Sequence, residues 1–200
     1  MSYELNFEYL LNRLATRIDA ECLDQVRLAY DLARSVHATQ LRDEGAPYIV
    51  HPVRVAVSIV DELKLYSPKL ICSALLHDVI EDSPEDRPVT RSHIEESFGD
   101  EIAEVVWLLT KLEDVSLHEY LSRIEAARET GAPIVKLCDR LDNMRSVVHS
   151  PKLEKKRRYI RTTEELYLPM AERTNRYLHD ELLRCLEEAR NQVEAIANGL

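Results

Sequence analysis

The sequence predicts an all-α domain, and three observations carry that prediction. Apolar residues recur at helical spacing along most of the chain, as at Leu23, Val26, Ala29, Leu32, Ala33 and Val36. Only four of the 200 residues are glycine, which disfavours a turn-rich β fold. The β-branched runs are short and lie inside helical periodicity, so no strand, internal repeat or low-complexity segment is expected.

Taken in order, helices are expected over 5–18 and 21–40. Arg42-Asp43-Glu44-Gly45-Ala46-Pro47-Tyr48 follows as a loop, punctuated by Gly45 and Pro47. His51-Pro52 opens the next helix, because proline suits a first helical position, and that helix runs to about Leu65. Ser67-Pro68 starts a central helix that continues through Asp82, and 83–88 is a polar loop. Thr90 is the expected N-cap of a short helix ending at Gly99. Apolar spacing then predicts helices over 100–112 and 116–129. Gly131-Ala132-Pro133 breaks the second of these, and Ile134 to Val148 forms the next. The remainder, 152–175 and 178–197, reads as highly charged helix.

The length bounds this to one domain, 1–200, with its core at about 21–175 and a C-terminal helix over 178–197. The net charge of −10 argues against nucleic acid or an anionic membrane as partner. A phosphate-bearing small molecule stays open, since a pocket can be locally positive. Cys22, Cys72, Cys138 and Cys185 are widely spaced in apolar contexts and read as free thiols of a reducing compartment. The start lacks a secretory pattern and no apolar run approaches a membrane span, so a cytoplasmic protein is expected. Nothing in the sequence speaks to oligomeric state.

The stretch richest in chemistry is Leu75-Leu76-His77-Asp78-Val79-Ile80-Glu81-Asp82. On a continuous helix His77 sits over Glu81 and Asp78 over Asp82, at the lip of an apolar core. Such charges are costly there unless paired, hydrogen-bonded or bound to a cation. A plain amphipathic helix with a solvated acidic end is the ordinary alternative for a lone His-Asp pair. Matching ligands elsewhere change the balance: His51 at a helix start and Asp139 on a later helix. Two imidazoles and two carboxylates, His51, His77, Asp78 and Asp139, suit a borderline divalent metal such as Mn²⁺, Fe²⁺, Co²⁺ or Zn²⁺. Taken singly, His51 could merely bond backbone and Asp139 could pair with Arg140 or Arg145.

The motifs occur in a characteristic order. His37-Ala38-Thr39-Gln40-Leu41-Arg42 precedes Gly45-Ala46-Pro47-Tyr48-Ile49-Val50-His51-Pro52-Val53-Arg54-Val55-Ala56. Ala74 through Asp82, Phe98-Gly99 and Thr110-Lys111-Leu112 come next. Lys136-Leu137-Cys138-Asp139-Arg140-Leu141-Asp142-Asn143-Met144-Arg145 and, more weakly, Tyr167 to Arg173 complete the series, spanning about 25–175. With these stretches the chain resembles the hydrolase half of the RelA/SpoT alarmone enzymes, a branch of the HD phosphohydrolase superfamily. Ending where the long members go on to a synthetase domain, it resembles a stand-alone small alarmone hydrolase of the metazoan SpoT-homologue kind.

The resemblance implies an HD-type helical fold and Mn²⁺-dependent removal of the 3′-pyrophosphate from (p)ppGpp or a close analogue, giving GDP or GTP and pyrophosphate. Carried over by position, His51, His77, Asp78 and Asp139 are metal ligands, and Glu81 and Asp82 are the acidic pair that handles the attacking water. Arg42 matches a nucleotide-contacting position, where a guanidinium can stack on a base. Asn143 can hydrogen-bond sugar or base, Ser146 holds another nucleotide-side position, and Lys111 and Arg158 are candidate phosphate contacts. The rest of Lys155-Lys156-Arg157-Arg158 reads as a solvated helix face, and Arg140 is either structural or catalytic. Three departures stand out: Asp142 replaces a usual His or aromatic residue, Asp43 a frequent Lys, and Trp107-Leu108 a polar-Gly pair. The first two make the pocket more acidic and bear on nucleotide preference. The alternatives are an HD phosphohydrolase for (p)ppApp, NADPH or another nucleotide, and a non-catalytic alarmone sensor, against which the intact Glu81-Asp82 pair weighs.

Overall fold

The structure, a computed structural model, describes residues 3–43, 45–147 and 150–197. They are predominantly helical. Among them the only strand-like pairing is an isolated antiparallel bridge between Leu41 and Pro47. The chain forms two compact units, residues 1–135 and 136–200.

In the first unit α1 (Tyr3–Leu14) packs on α3 (Val50–Asp61), while α4 (Pro68–Leu76) contacts α2 (Ala20–Val36), α3 and α7 (Asp100–Leu109). Every residue of α4 from Leu70 to Leu76 is buried, as expected for a helix apolar on all sides. Each large side chain so buried contributes on the order of 2 kcal/mol before entropy is counted. Ser67 caps this helix by accepting from the Leu70 N–H at 3.4 Å, with Pro68 just inside it. Thr90 caps α6 (Arg91–Phe98) in the same way, and Gly99, at φ 86°, turns the chain directly into α7. Ser116 and Glu119 form a reciprocal capping box on α8 (Leu117–Ala126).

Several expected boundaries move, each for a local reason. α2 stops at Val36 because His37 leaves helical geometry at ψ 14°. α3 stops at Asp61, and Lys64 at φ 58° takes the left-handed conformation that turns the chain back. α7 stops at Leu109, where Thr110 becomes extended. α8 gives way after Ala126 to a 3₁₀ turn over Arg128–Thr130. Gly131, at φ 88°, marks the break itself, and α9 (Ala132–Val147) starts at once with Pro133 in its first turn. Val148, the expected last residue of α9, lies outside the described residues.

The largest correction concerns the central helix. It does not run through Asp82: α4 ends at Leu76, His77 and Asp78 form a turn, and α5 (Val79–Asp82) is a single further turn. The His77 Nδ1–H donates to the Ala74 carbonyl at 2.8 Å, an acceptor that an unbroken helix would offer to the Asp78 amide.

In the second unit, α9 continues from Lys136, and α10 (Leu153–Thr162) and α11 (Leu168–Thr174) pack against α12 (Arg176–Ala197). The helix expected over 152–175 widens into a π turn at Thr163–Tyr167. Buried Arg140 donates there to Thr163 Oγ1 at 2.9 Å and to the Tyr159 carbonyl at 2.8 Å. Its guanidinium lies 4.3 Å from the ring centroids of both Tyr159 and Tyr167. A side chain bonding into the helical ladder is a known cause of such local widening. The run 155–158 is not a uniformly solvated face, since Lys156 is buried and its ammonium bonds Gln192 at 2.8 Å. Cys22, Cys72, Cys138 and Cys185 are free thiols, and burial pushes the Cys72 thiol up to about 12. No helix among the described residues is long and apolar enough to cross a membrane.

Candidate active site

The first unit gathers three of the expected ligands. His51 is presented in the first turn of α3, and His77 and Asp78 form the turn after α4. The two imidazoles are buried, with ring centroids 5.1 Å apart and planes at 71°. The ring nitrogens that can bind a metal lie within 4.8 Å of each other. Both rings turn Nε2 toward Asp78 Oδ2, at 3.0 Å from His77 and 3.8 Å from His51. His77 Nδ1 faces a carbonyl, which can only accept, so Nδ1 carries the proton of the neutral ring. A neutral ring therefore turns a bare Nε2 lone pair toward a carboxylate oxygen. That juxtaposition is repulsive unless a proton or cation lies between them, and the donor set fits a borderline divalent cation.

The loop before α3 is strapped onto this turn. The Tyr48 hydroxyl donates to Asp78 Oδ2 at 2.7 Å. The Gln40 side chain spans two partners: its oxygen lies 2.7 Å from His37 Nδ1, and its amide donates to the Asp82 carbonyl at 3.3 Å. The Tyr48 N–H closes the loop on the Gln40 carbonyl at 2.9 Å. Arg42, the expected nucleotide contact, is half-buried in the same loop, its guanidinium 5.9 Å from the Tyr48 ring centroid. Asp43 beside it is exposed.

Glu81 and Asp82 occupy different surroundings. Glu81 is exposed, and its carboxylate accepts the backbone N–H of Lys111 at 2.5 Å. The Lys111 ammonium lies 3.4 Å from the Leu112 carbonyl, so its backbone holds Glu81 while its side chain bends to its neighbour. Asp82 is half-buried, with Oδ2 3.7 Å from His37 Nδ1. Burial, followed by repulsion from Asp78 and Glu81, pushes its carboxyl up to about 6. Burial holds the His37 imidazole below its ordinary value, so it is neutral at pH 7.

The second unit carries the remaining expected residues. Asp139 is buried on α9, with Oδ2 2.9 Å from the Lys136 ammonium and Oδ1 accepting from the Asn143 amide at 2.6 Å. Arg140 is bound as above, and Arg145 reaches Glu181 at 2.8 Å. Asn143, expected to contact the nucleotide, thus holds a carboxylate. Ser146 is half-buried near the end of α9, Asp142 is buried, and Arg158 is exposed on α10.

Sequence reasoning missed Tyr48, His37, Gln40 and Lys136 as parts of the site. All four lie inside the motif stretches, which was the available signal, but their bonds run to residues that spacing alone does not pair.

A helical chain carrying an adjacent His-Asp pair against a second histidine has the arrangement of an HD-type domain. The chain belongs to the HD domain family, whose model matches residues 29–175 and so runs through both units. The bifunctional (p)ppGpp synthase/hydrolase SpoT of Escherichia coli K12 is 37% identical to it over 176 residues, which cover 84% of this chain and 24% of the relative. The guanosine-3′,5′-bis(diphosphate) 3′-pyrophosphohydrolase of Vibrio cholerae is 37% identical over 76% of this chain and 22% of its own length. The chain thus spans about a quarter of these curated relatives. Among solved structures, a metazoan ortholog of SpoT described as hydrolysing ppGpp, with a role in starvation responses, matches with a TM-score of 0.72 at 21% identity. That match covers 82% of this chain and 94% of the other, and it establishes the shared helical fold.

Proposed function

We propose that this chain is a metal-dependent hydrolase that removes the 3′-pyrophosphate of (p)ppGpp or a close analogue, with residues 1–200 working as one HD hydrolase domain. The observation that carries the reading is the convergence of His51 Nε2 and His77 Nε2 on Asp78 Oδ2. The relatives named for the same reaction supply the substrate class. His51, His77, Asp78 and Asp139 would hold the cation, Mn²⁺ by family resemblance. When bound, a divalent ion supplies an acidified water and neutralises phosphate charge.

The rest of the work falls to side chains. Asp82 and Glu81 orient the attacking water and accept its proton as oxygen adds to the phosphorus next to the ribose 3′ oxygen. The bond from that phosphorus to the 3′ oxygen breaks, and the proton taken up by the carboxylates passes to that oxygen, leaving a 3′-hydroxyl and free pyrophosphate. In the metal-free fold the Asp82 carboxyl is raised to about 6, chiefly by burial. The Lys111 amide keeps Glu81 in place. Arg42 stacks on the base, and Asn143 and Ser146 lie on the nucleotide side. Lys111 and Arg158 offer charge to phosphate. The buried free thiols suit a reducing, cytoplasmic setting.

The test is pyrophosphate release from a panel of (p)ppGpp, (p)ppApp and NADPH, with Mn²⁺ and with chelator. Release from the guanosine tetraphosphate, lost with chelator and in His77→Ala and Asp139→Ala together with bound metal, supports the reading. Nucleotide binding with no release from any member identifies a sensor instead.

A further inference from the structure

We infer that Tyr48 is a positioning residue that couples the nucleotide-facing loop to the metal ligands, and that its hydroxyl sets the metal affinity. The inference rests on the assignment of Asp78 and His51 as ligands. Tyr48 reaches both of them by separate routes. Its hydroxyl donates to Asp78 Oδ2 at 2.7 Å. Its carbonyl accepts the His51 backbone N–H at 2.9 Å, and its ring stands edge-on to the His51 imidazole, 5.6 Å between centroids at 74°. On its other side the ring packs against buried His37 at 4.7 Å and lies below the Arg42 guanidinium at 5.9 Å.

The physical consequence is specific. A carboxylate beside a divalent cation can rotate and bind through either oxygen or both. A neutral donor fixed on Oδ2 removes that freedom without adding a positive charge that would repel the ion. Hydrogen-bond partners behind metal ligands typically change metal affinity or activity by about 10- to 100-fold when lost. The ring performs a second task, since it supports the loop that carries Arg42. Hydroxyl and ring are therefore separable by substitution.

The experiment is calorimetric titration of metal-free protein with Mn²⁺, with no nucleotide present, for the parent, Tyr48→Phe and Tyr48→Leu. Tyr48→Phe is expected to weaken Mn²⁺ binding by about tenfold while the Michaelis constant for the tetraphosphate, at saturating Mn²⁺, moves less than about twofold. Tyr48→Leu is expected to weaken Mn²⁺ binding similarly and to raise that Michaelis constant several-fold as well. A near-ultraviolet tyrosine difference spectrum should accompany Mn²⁺ binding in the parent and vanish in Tyr48→Phe, a readout that a purely structural role would not move. Mn²⁺ affinity equal in parent and Tyr48→Phe overturns the inference, as does a parent titration without the tyrosine signal. A parent that binds Mn²⁺ with this signature yet hydrolyses no nucleotide overturns the proposed reaction and leaves the role of Tyr48 standing.

Discussion

The amide of Asn143 donates to Oδ1 of Asp139 at 2.6 Å, one helical turn back on α9. With the Lys136 ammonium 2.9 Å from Oδ2, the carboxylate is held at both oxygens by its own helix. Asn143→Ala should therefore weaken Mn²⁺ binding by about tenfold, read by calorimetric titration without nucleotide. An unchanged Mn²⁺ affinity with a raised Michaelis constant would return Asn143 to a purely nucleotide-facing role.

Glu81 is held by the Lys111 amide, while Asp82 lies beside His37 and its backbone carbonyl accepts from Gln40. The double substitution Glu81→Gln with Asp82→Asn should keep nearly full Mn²⁺ occupancy while turnover falls by roughly 10²-fold or more, the usual scale of general acid–base help. Loss of metal with no separate effect on rate would place these carboxylates among the ligands.

The Asp82 carboxyl, raised to about 6 in the metal-free fold by burial and by Asp78 and Glu81, is a stability liability of known sign. Between its unfolded value near 4 and about 6 the folded protein binds more protons than the unfolded chain, so stability falls as pH rises through that window. Asp82→Asn should then stabilise the chelator-treated protein at about pH 7.5 and change little at about pH 3.5. Thermal unfolding of parent and variant at both pH values measures this. An equal shift at both would mean that the carboxylate is not strained by its neighbours.

Asp43 is exposed beside Arg42, in the loop whose Tyr48 reaches Asp78. Asp43→Lys should lower the Michaelis constant for a tetraphosphate several-fold with little change in turnover, because it alters approach and binding rather than proton transfer. The gain should shrink as salt rises and should be smaller for a substrate with fewer phosphates. Kinetics at low and high ionic strength decide the matter, and an unchanged constant at low salt would show that Asp43 faces away from the nucleotide.

What the sequence by itself determined was local. Helical spacing, Ser67-Pro68, Thr90 and Gly131 located most helices to within a few residues, since caps and breakers act over one turn of chain. The ordered motifs singled out His51, His77 and Asp78, which the first unit brings close together. Tertiary structure decided the rest. Even locally the spacing was overridden at one point, where the ring of His77 takes the Ala74 carbonyl three residues back and the helix breaks. The bond from Tyr48 to Asp78 joins residues 30 apart, and that from Gln40 to Asp82 joins residues 42 apart. Lys156 read as surface until its partner Gln192 was placed. Spacing reports which side chains share a face, while a hydrogen bond or a raised carboxyl depends on which faces pack together and how much water they exclude.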